Sequence, residues 1–235
     1  SKINLDQKKL DQQSQHWETN FLNKPEMFGL EPSLAAIKAL QSFQEKNIKK
    51  IVELGAGLGR DTVFFAKNSI YVEALDYSKE SIKSIINKST KLNLSKYIKP
   101  KIFDVRKKLP FEDNFFDGAC SLFSFRDWYD KRAGLGEVLR VLKPGAKMVI
   151  VDPAKMNRIH GFLGWLWMRI WVGAYARIIC GVKDHPWKWL TKTYVTFGTT
   201  RDYVRMMEDV GFENVTAKVV FPGMATIWEG RKTES

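Results

Sequence analysis

Three glycines at alternating positions follow a short apolar run near residue 50. The run at 51–54 leads into Gly55, Gly57 and Gly59, and a helical pattern begins directly afterwards. An apolar run that ends in glycines is typical of a buried strand, and side-chain-free residues allow a tight strand-to-helix turn that a ligand can approach closely. The G-x-G-x-G spacing differs from the G-x-G-x-x-G spacing of dinucleotide-binding loops. These residues therefore predict a ligand-binding turn.

Acidic residues accompany this loop at the ends of three apolar runs. Glu53 opens the loop, and Asp76 and Asp104 follow the next two apolar runs along the chain. In an open α/β sheet, ligands bind at the carboxyl ends of the strands. We therefore expect these three carboxyl groups to converge on one crevice.

The loop and the acids after it resemble the class I S-adenosylmethionine (SAM) methyltransferases. The E-x-G-x-G-x-G loop, Asp76 in the run LDYS and Asp104 in the run FDV occur in the order of that family's pattern. SAM carries a sulfonium and an ammonium group, so carboxylates suit it better than the helix N-terminus that phosphate prefers. A nucleotide-binding loop, including one for NAD, and a structural glycine turn are the alternatives.

The resemblance implies SAM as the cofactor and gives each motif residue a role. The three glycines would line the methionine part of SAM. Asp76 would accept hydrogen bonds from both ribose hydroxyls, and Asp104 would bind the adenine amino group between Tyr77 and Val105. Glu53 would orient the loop or reach the ammonium through water. The full set of expected cofactor-binding residues is Glu53, Gly55, Ala56, Gly57, Gly59, Arg60, Asp61, Asp76, Tyr77, Ser78, Asp104, Val105, Ser121 and Leu122.

Strand and helix patterns alternate through most of the chain. This alternation predicts a Rossmann-like α/β fold, with a mostly parallel sheet and helices on both faces. Two terminal apolar runs around Pro222-Gly223 predict an antiparallel C-terminal hairpin, which brings the expected number of strands to seven. The predicted strands cover residues 50–54, 70–75, 101–103, 116–123, 147–151, 214–220 and 225–230.

Local signals predict where several helices begin and end. Ser33 and Ser78 are expected N-caps, and Gly211 is expected to end the helix at 200–210. A helix is expected from Asp130 to Leu142, ended by the turn pair Pro144-Gly145 that follows it. We expect a single methyltransferase domain over residues 1–235, with a helical N-terminal segment (1–49) and a tryptophan-rich insert or cap (153–198).

The second half of the chain resembles the ubiquinone/menaquinone C-methyltransferase family. The resemblance rests on Arg126-Asp127, on the segment at 135–145 and on the segment at 206–228. The family has an Arg-Asn pair where this chain has Arg126-Asp127. The resemblance implies a hydrophobic acceptor, most simply a prenylated hydroquinone methylated on a ring carbon.

Such a reaction needs a group that removes a hydroxyl proton, because loss of that proton makes the neighbouring ring carbon nucleophilic. By resemblance, Arg126 and Asp127 lie near the acceptor, and Asp127 is one candidate base. Asp152, at a predicted strand end, His160 and His185 are its rivals. The expected catalytic group is Arg126, Asp127, Asp152 and His160.

The sequence does not contain the motifs of several other methyltransferase classes. The fourth strand is followed by Ser121-Leu122-Phe123-Ser124 rather than by the (Asp/Asn)-Pro-Pro-(Tyr/Phe) motif of nucleic-acid amino-methyltransferases. Neither Cys120 nor Cys180 follows a proline, as a cytosine C5 nucleophile commonly does. Asp152 precedes Pro153 rather than completing a metal-ligand pair. We therefore expect neither a metal site nor a nucleic-acid substrate.

The insert concentrates aromatic and basic residues. Five of the eight tryptophans lie between residues 165 and 189, and the apolar stretch 159–182 contains Arg169 and Arg177. Central arginines are costly in hydrocarbon, so the pattern favours an interfacial helix, with a core-packing cap and a membrane-spanning helix as alternatives. Together with a polar start to the sequence, it predicts a cytoplasmic protein with peripheral membrane association through residues 155–180.

Three functions compete at this stage. The first is SAM-dependent C-methylation of a prenylated quinone-like lipid. The second is O- or N-methylation of a soluble small molecule or lipid headgroup. The third is a non-catalytic SAM-binding or RNA-associated module, which the net charge of +12 would favour and the aromatic insert disfavours. The sequence leaves the oligomeric state open.

Overall fold

The structure is a computed structural model that describes residues 15, 17–23, 29–105, 107–155, 166, 197–220 and 225–234. Its helices are α1 (17–23), α2 (Leu34–Gln44), α3 (Arg60–Lys67), α4 (Lys79–Lys91), α5 (Lys131–Val141) and α6 (Thr200–Val210), with a 3₁₀ turn at Phe125–Asp127. Its strands are β1 (Lys50–Leu54), β2 (Tyr71–Asp76), β3 (Ile98–Ile102), β4 (Phe116–Leu122), β5 (Leu142–Asp152), β6 (Phe212–Val220) and β7 (Ala225–Lys232).

Within the described residues, seven strands form one sheet in the order β3-β2-β1-β4-β5-β7-β6. Strands β1 to β5 run parallel to one another, whereas β7 runs antiparallel to both β5 and β6. The strand order reverses between β1 and β4, and a crevice opens at such a point outside the carboxyl ends of the strands. The predicted α/β fold class and its antiparallel terminal hairpin are confirmed.

Two apolar layers cover the sheet, one on each face. Phe43, Phe65 and Ile85 bring α2, α3 and α4 against one face. Leu135 and Met207 bring α5 and α6 against the other face. Both faces of β1 are covered, so the four residues after Lys50 are buried, and Glu53 is the one charged residue type among them.

The helix caps follow the sequence signals. The Ser33 Oγ accepts a hydrogen bond from the Ala36 N–H (2.9 Å), and the Ser78 Oγ accepts one from the Ser81 N–H (3.1 Å). Gly211 ends α6 with a φ of +114°, a conformation that costs glycine little. These three predictions are confirmed.

The helix predicted at 130–142 is confirmed to within one residue at each end, whereas the predicted start of the fifth strand at Lys147 is wrong. Helix α5 ends at Val141, and β5 begins at Leu142. The pairing of β4 with β5 shifts register between Phe116 and Gly118, so Pro144 and Gly145 lie in an irregular stretch inside β5. A proline cannot donate a ladder hydrogen bond and is tolerated at such a bulge.

The third strand also begins earlier than predicted. Strand β3 covers Ile98–Ile102 and contains Pro100, which pairs with Ala74 of β2. The strand lies at the edge of the sheet, where one side of the backbone needs no partner and proline is accepted. Asp104 therefore follows β3 by two residues rather than ending it.

The two ends of the insert lie side by side. The Lys155 N–H donates to the Gly198 carbonyl (3.2 Å), and the Thr200 N–H donates to the Lys155 carbonyl (2.8 Å). The chain thus leaves the sheet after β5 and returns at the same place. Most of the insert, with its tryptophan cluster and His160, lies outside the described residues.

Among the described residues, no helix has both the length and the apolar composition that a membrane span requires.

Candidate active site

The glycine loop is fixed to the end of the neighbouring strand. The N–H groups of Gly55 and Ala56 both donate to the Leu75 carbonyl, at 2.9 and 3.0 Å. Gly55 has a φ of +77°, and a Cβ built on it would lie 2.3 Å from the Ser124 Cβ. Only glycine fits this position, because both the backbone conformation and the close approach of Ser124 exclude a side chain.

Gly57 differs from the other glycines of the loop because its surroundings are open. The nearest atom to a Cβ built on it is the Phe21 Cζ, at 3.9 Å. Its N–H donates to the Asp76 Oδ2 at 2.8 Å. The loop backbone therefore faces the crevice at Gly57 and holds the Asp76 carboxylate there.

Asp76 sits at the end of β2 with both oxygens engaged by backbone amides. The second bond comes from the Ser78 N–H to Oδ1, at 2.9 Å. Burial raises the pKa of Asp76 to about 6, against the lowering effect of the two amides. Each carboxylate oxygen can accept more than one hydrogen bond, so Asp76 is oriented and still able to bind hydroxyl groups.

Glu53 turns away from the loop toward helix α3. It is buried and accepts a hydrogen bond of 2.5 Å from the Thr62 Oγ. Burial, helped by the negative charges of Asp61 and Asp76, raises the pKa of Glu53 to about 8. At neutral pH the carboxyl group is mostly protonated, so Glu53 joins β1 to α3 instead of adding a negative charge to the crevice.

Arg60 and Asp61 lie at the junction of α3 with α2. Asp61 accepts hydrogen bonds from the Ser33 N–H (2.9 Å) and the Ser33 Oγ (2.7 Å). The Arg60 Nε donates to the same carboxylate at 3.1 Å. These contacts hold the start of α2 against the start of α3, directly behind the glycine loop.

Ser121 and Leu122 lie at the end of β4. The Ser121 and Ser124 hydroxyl oxygens are 2.8 Å apart, and the Ser124 Oγ donates to the Leu54 carbonyl at 2.6 Å. Leu122 is buried in the core layer that α2, α3 and α4 cover. The β4 terminus is thereby joined to the start of the glycine loop.

Asp104 and its neighbours lie beside the end of β2. The Phe103 N–H donates to the Asp76 carbonyl at 2.8 Å, which places the segment after β3 next to Asp76. Val105 is partly buried against the opposite core layer. Tyr77 interacts electrostatically with Arg126, so it lies toward β4 and β5.

A second cluster of buried charges occupies the ends of β4 and β5. Arg126 donates twice to Asp152, from its backbone N–H (2.8 Å) and from Nη1 (2.9 Å). The Asp127 carboxylate lies 3.9 Å from the Arg126 Nε. Lys131 donates to the carbonyls of Arg126 (3.0 Å) and Trp128 (2.9 Å). The structure thus brings together three of the four expected catalytic residues.

The cluster combines two cationic groups, Arg126 and Lys131, with two carboxyl groups, Asp127 and Asp152. The Asp152 side chain is 1% exposed and pairs with Arg126. Burial raises the pKa of Asp127 to about 6, although Arg126 opposes the shift. The Arg126 Nε is buried and has no hydrogen-bond partner among the described residues. Asp127 is therefore a stronger base than an ordinary aspartate, beside a cationic group with one donor to spare.

Helix α1 joins the two halves of the crevice, a role that the sequence analysis missed. The Trp17 side chain donates a hydrogen bond to Asp127. The rings of Trp17 and Phe21 are 5.5 Å apart, and Phe21 is buried close to Gly57. The i, i+4 spacing of two aromatic residues in an otherwise polar N-terminal segment was the available signal.

Comparisons with known proteins agree with this geometry. Residues 52–150 match the family described as Methyltransferase domain. The demethylmenaquinone methyltransferase of Thermotoga maritima is 27% identical, with 90% of each chain covered. The ubiquinone/menaquinone biosynthesis C-methyltransferase of Rickettsia prowazekii is 26% identical, with 96% of each chain covered. A SAM-dependent methyltransferase structure from Aquifex aeolicus has a TM-score of 0.59 and 20% identity, covering 97% of this chain and 99% of that one.

The chain is therefore a class I SAM-dependent methyltransferase, and SAM is its methyl donor. Within that class it resembles the ubiquinone/menaquinone C-methyltransferases. Among the described residues, no three His, Cys, Asp or Glu side chains are grouped as metal ligands would be.

Substitution of Gly55 by alanine tests the packing of the loop. We expect Gly55→Ala to lower the free energy of unfolding by about 1–3 kcal/mol, the range for overpacking and for a strained backbone position. Urea unfolding without ligand measures the change. Gly136→Ala is the matched control, since the Cβ position at Gly136 has nothing within 4 Å and Gly136 lies inside α5. It should stabilise the protein by about 0.5–1 kcal/mol. Equal effects of the two substitutions would contradict the clamped loop.

The raised pKa of Glu53 predicts a pH-dependent stability. The folded protein holds the Glu53 proton more tightly than the unfolded chain, so this contribution is complete below pH 4.5 and is lost as the pH rises toward 8. Between these values the unfolding free energy should fall by up to about 1.4 kcal/mol per pH unit from this group. Glu53→Gln keeps an acceptor for Thr62 and cannot ionise, so urea unfolding across this range should show a shallower decline. A decline as steep as that of the wild type would refute the assignment.

Proposed function

We propose that this enzyme methylates a ring carbon of a prenylated, hydroquinone-like lipid. The observation that carries the proposal is the buried pair of Arg126 and Asp127 at the end of β4, a base next to a donor in a largely closed site. The names of the two relatives, which refer to demethylmenaquinone and to ubiquinone/menaquinone biosynthesis, support a quinone-type acceptor.

The cofactor would lie over the glycine loop, with its ribose at Asp76. The residues fit SAM, since the loop backbone is open at Gly57 and Asp76 is oriented with room for further donors. Asp104, next to the Asp76 backbone, would bind the adenine amino group between Tyr77 and Val105. Arg60, Asp61 and Glu53 would act by holding the loop and its helix in place.

Methyl transfer then requires an activated acceptor and a dry, aligned site. Bound SAM supplies an electrophilic methyl group on its sulfonium. Asp127 would accept the hydroxyl proton of the acceptor ring, which raises the electron density at the neighbouring ring carbon. As this carbon bonds to the methyl group, the methyl–sulfur bond would break and S-adenosylhomocysteine would be left. Loss of the hydrogen of the methylated carbon as a proton would then restore the aromatic ring. A pKa of about 6 keeps Asp127 ionised at neutral pH while making it more basic than an exposed aspartate.

Arg126 would hold the same acceptor oxygen. Asp152 fixes the guanidinium through Nη1, and this leaves the buried Nε without a partner among the described residues. An acceptor hydroxyl that donates to Asp127 could accept from this Nε, since the two groups are 3.9 Å apart. In this role Asp152 positions Arg126 and is not itself the base. His160 lies outside the described residues and is not needed for this step.

The insert would receive the apolar tail of the acceptor. Its two ends meet at Lys155 and Thr199, immediately after Asp152, so the segment starts and finishes beside the proposed acceptor site. Its tryptophan-rich sequence suits an isoprenoid chain or the membrane interface from which such a lipid would be drawn. A soluble acceptor or a lipid headgroup would not need this surface.

Asp127→Asn should separate catalysis from cofactor binding. We expect kcat for a demethylmenaquinol acceptor to fall about 10²–10⁴-fold, the usual cost of losing a general base. Calorimetry with S-adenosylhomocysteine should give wild-type affinity. In the wild type, kcat at saturating substrates should decline as the pH drops below about 6, where Asp127 becomes protonated. The variant should lack this decline.

Asp209→Asn is the control for this experiment, because Asp209 is exposed and pairs with Arg132 on the surface. Full activity of Asp127→Asn would refute the assigned base. Incubation of the wild type with labelled SAM and either a lipid extract or a water-soluble extract identifies the acceptor by product mass. A labelled product that is only a soluble molecule or a headgroup would refute ring methylation.

Asp76→Asn tests the proposed ribose contact. Loss of a charged acceptor of two hydroxyl groups should weaken S-adenosylhomocysteine binding about tenfold or more in calorimetry. For the wild type, affinity should decrease as the pH falls below about 6, because protonation removes the same charge. Wild-type affinity in the variant would refute the placement of the ribose.

A further inference from the structure

Helix α1 covers the crevice from above the glycine loop to the Arg126–Asp127 pair. Phe21 is 7% exposed and approaches Gly57. The side chain of Trp17, four residues before Phe21, is hydrogen-bonded to Asp127. Glu18 lies next to Trp17 on the same short helix. The helix therefore carries Glu18 to the region between the two halves of the site.

One carboxylate oxygen of Glu18 makes no hydrogen bond within the described part of the chain. This atom, Oε2, is buried. Leaving a charged acceptor sealed from water and unpaired is costly, and proteins pair nearly all such atoms. A buried acceptor that finds no donor in the described part of the chain points to a donor on a ligand.

The charges around Glu18 favour a ligand that is itself a donor or a cation. Asp76, across the crevice, repels it. Lys83 of α4 attracts it, but the Lys83 side chain is 66% exposed and bonds to Glu80 at 2.6 Å. Two carboxylates that face each other in a buried site are unfavourable unless donors or positive charge lie between them.

We infer that Glu18 is a further cofactor-binding residue, which accepts a hydrogen bond from an O–H or N–H donor of SAM. The inference rests on the proposed cofactor site at Asp76 and is independent of the methyl acceptor. SAM offers two kinds of donor, the ribose hydroxyls of its nucleoside and the ammonium of its amino-acid part. A contact of either kind makes α1 part of the binding site, so the bound cofactor would link α1 to the sheet.

Two substitutions test the role of Glu18 by binding and not by turnover. We expect Glu18→Ala to weaken S-adenosylhomocysteine binding about tenfold or more in calorimetry, since a charged hydrogen bond is lost. Glu18→Gln keeps an acceptor of the same size and should fall between Ala and wild type. Without ligand, both variants should unfold at the wild-type temperature or above it, because the buried Glu18 Oε2 makes no hydrogen bond among the described residues that either substitution would remove. A residue needed only for folding would show the reverse.

A second ligand distinguishes the two donors. The probe 5′-methylthioadenosine has the ribose hydroxyls and lacks the ammonium. A similar loss of affinity for both ligands assigns the contact to the ribose, and a loss for S-adenosylhomocysteine alone assigns it to the ammonium. Wild-type affinity of Glu18→Ala for both ligands would overturn the inference.

Two reference variants complete the design. Glu112→Ala removes an exposed carboxyl group that precedes β4. Glu112 is therefore at the amino end of that strand, away from the carboxyl ends at which the site lies, and the variant should bind like the wild type. Asp76→Asn reports on the cofactor site itself. If Asp76→Asn weakens binding and Glu18→Ala does not, only the role of Glu18 is wrong. If Asp76→Asn binds normally, the proposed ribose contact is wrong, and the Glu18 result stands on its own measurement.

Discussion

The hydrogen bonds between the glycine loop and the end of β2 are the constraint on which the rest of the site depends. The Leu75 carbonyl accepts two loop N–H groups, and the Asp76 carboxylate accepts a third. These bonds set the path of the chain from β1 into α3. They also hold the Asp76 carboxylate at the crevice. Backbone geometry and ligand chemistry are therefore fixed by the same few atoms.

The two halves of the site use buried charge in different ways. Asp76 is held by two backbone amides, and in the proposed site it keeps a negative charge for a cationic cofactor. Arg126 and Asp152 neutralise each other, which leaves Asp127 as the group whose protonation is free to change. Breaking a buried ion pair is strongly destabilising, so such a pair makes a rigid support for a neighbouring catalytic group.

Some parts of the fold were predictable because their causes are local. The strand-to-helix turn at Gly55, the caps at Ser33 and Ser78 and the glycine stop of α6 depend on residues within a few positions of each other. The predictions that were wrong concern the residues at which β3 and β5 begin. In both cases the pairing of a neighbouring strand decided the outcome, and a single segment carries no record of its partner.

The sequence by itself determined the class of the enzyme, since the loop and the strand-end acids lie in one order along the chain. Tertiary structure alone decided which acids face the crevice. Glu53 is the last residue but one of β1 and Asp76 is the last residue of β2, yet Glu53 pairs with Thr62 and Asp76 accepts the Gly57 N–H at the crevice. It also placed α1 over the glycine loop, an association of segments more than thirty residues apart. Burial and distant partners set these outcomes, and both arise only when the sheet has formed.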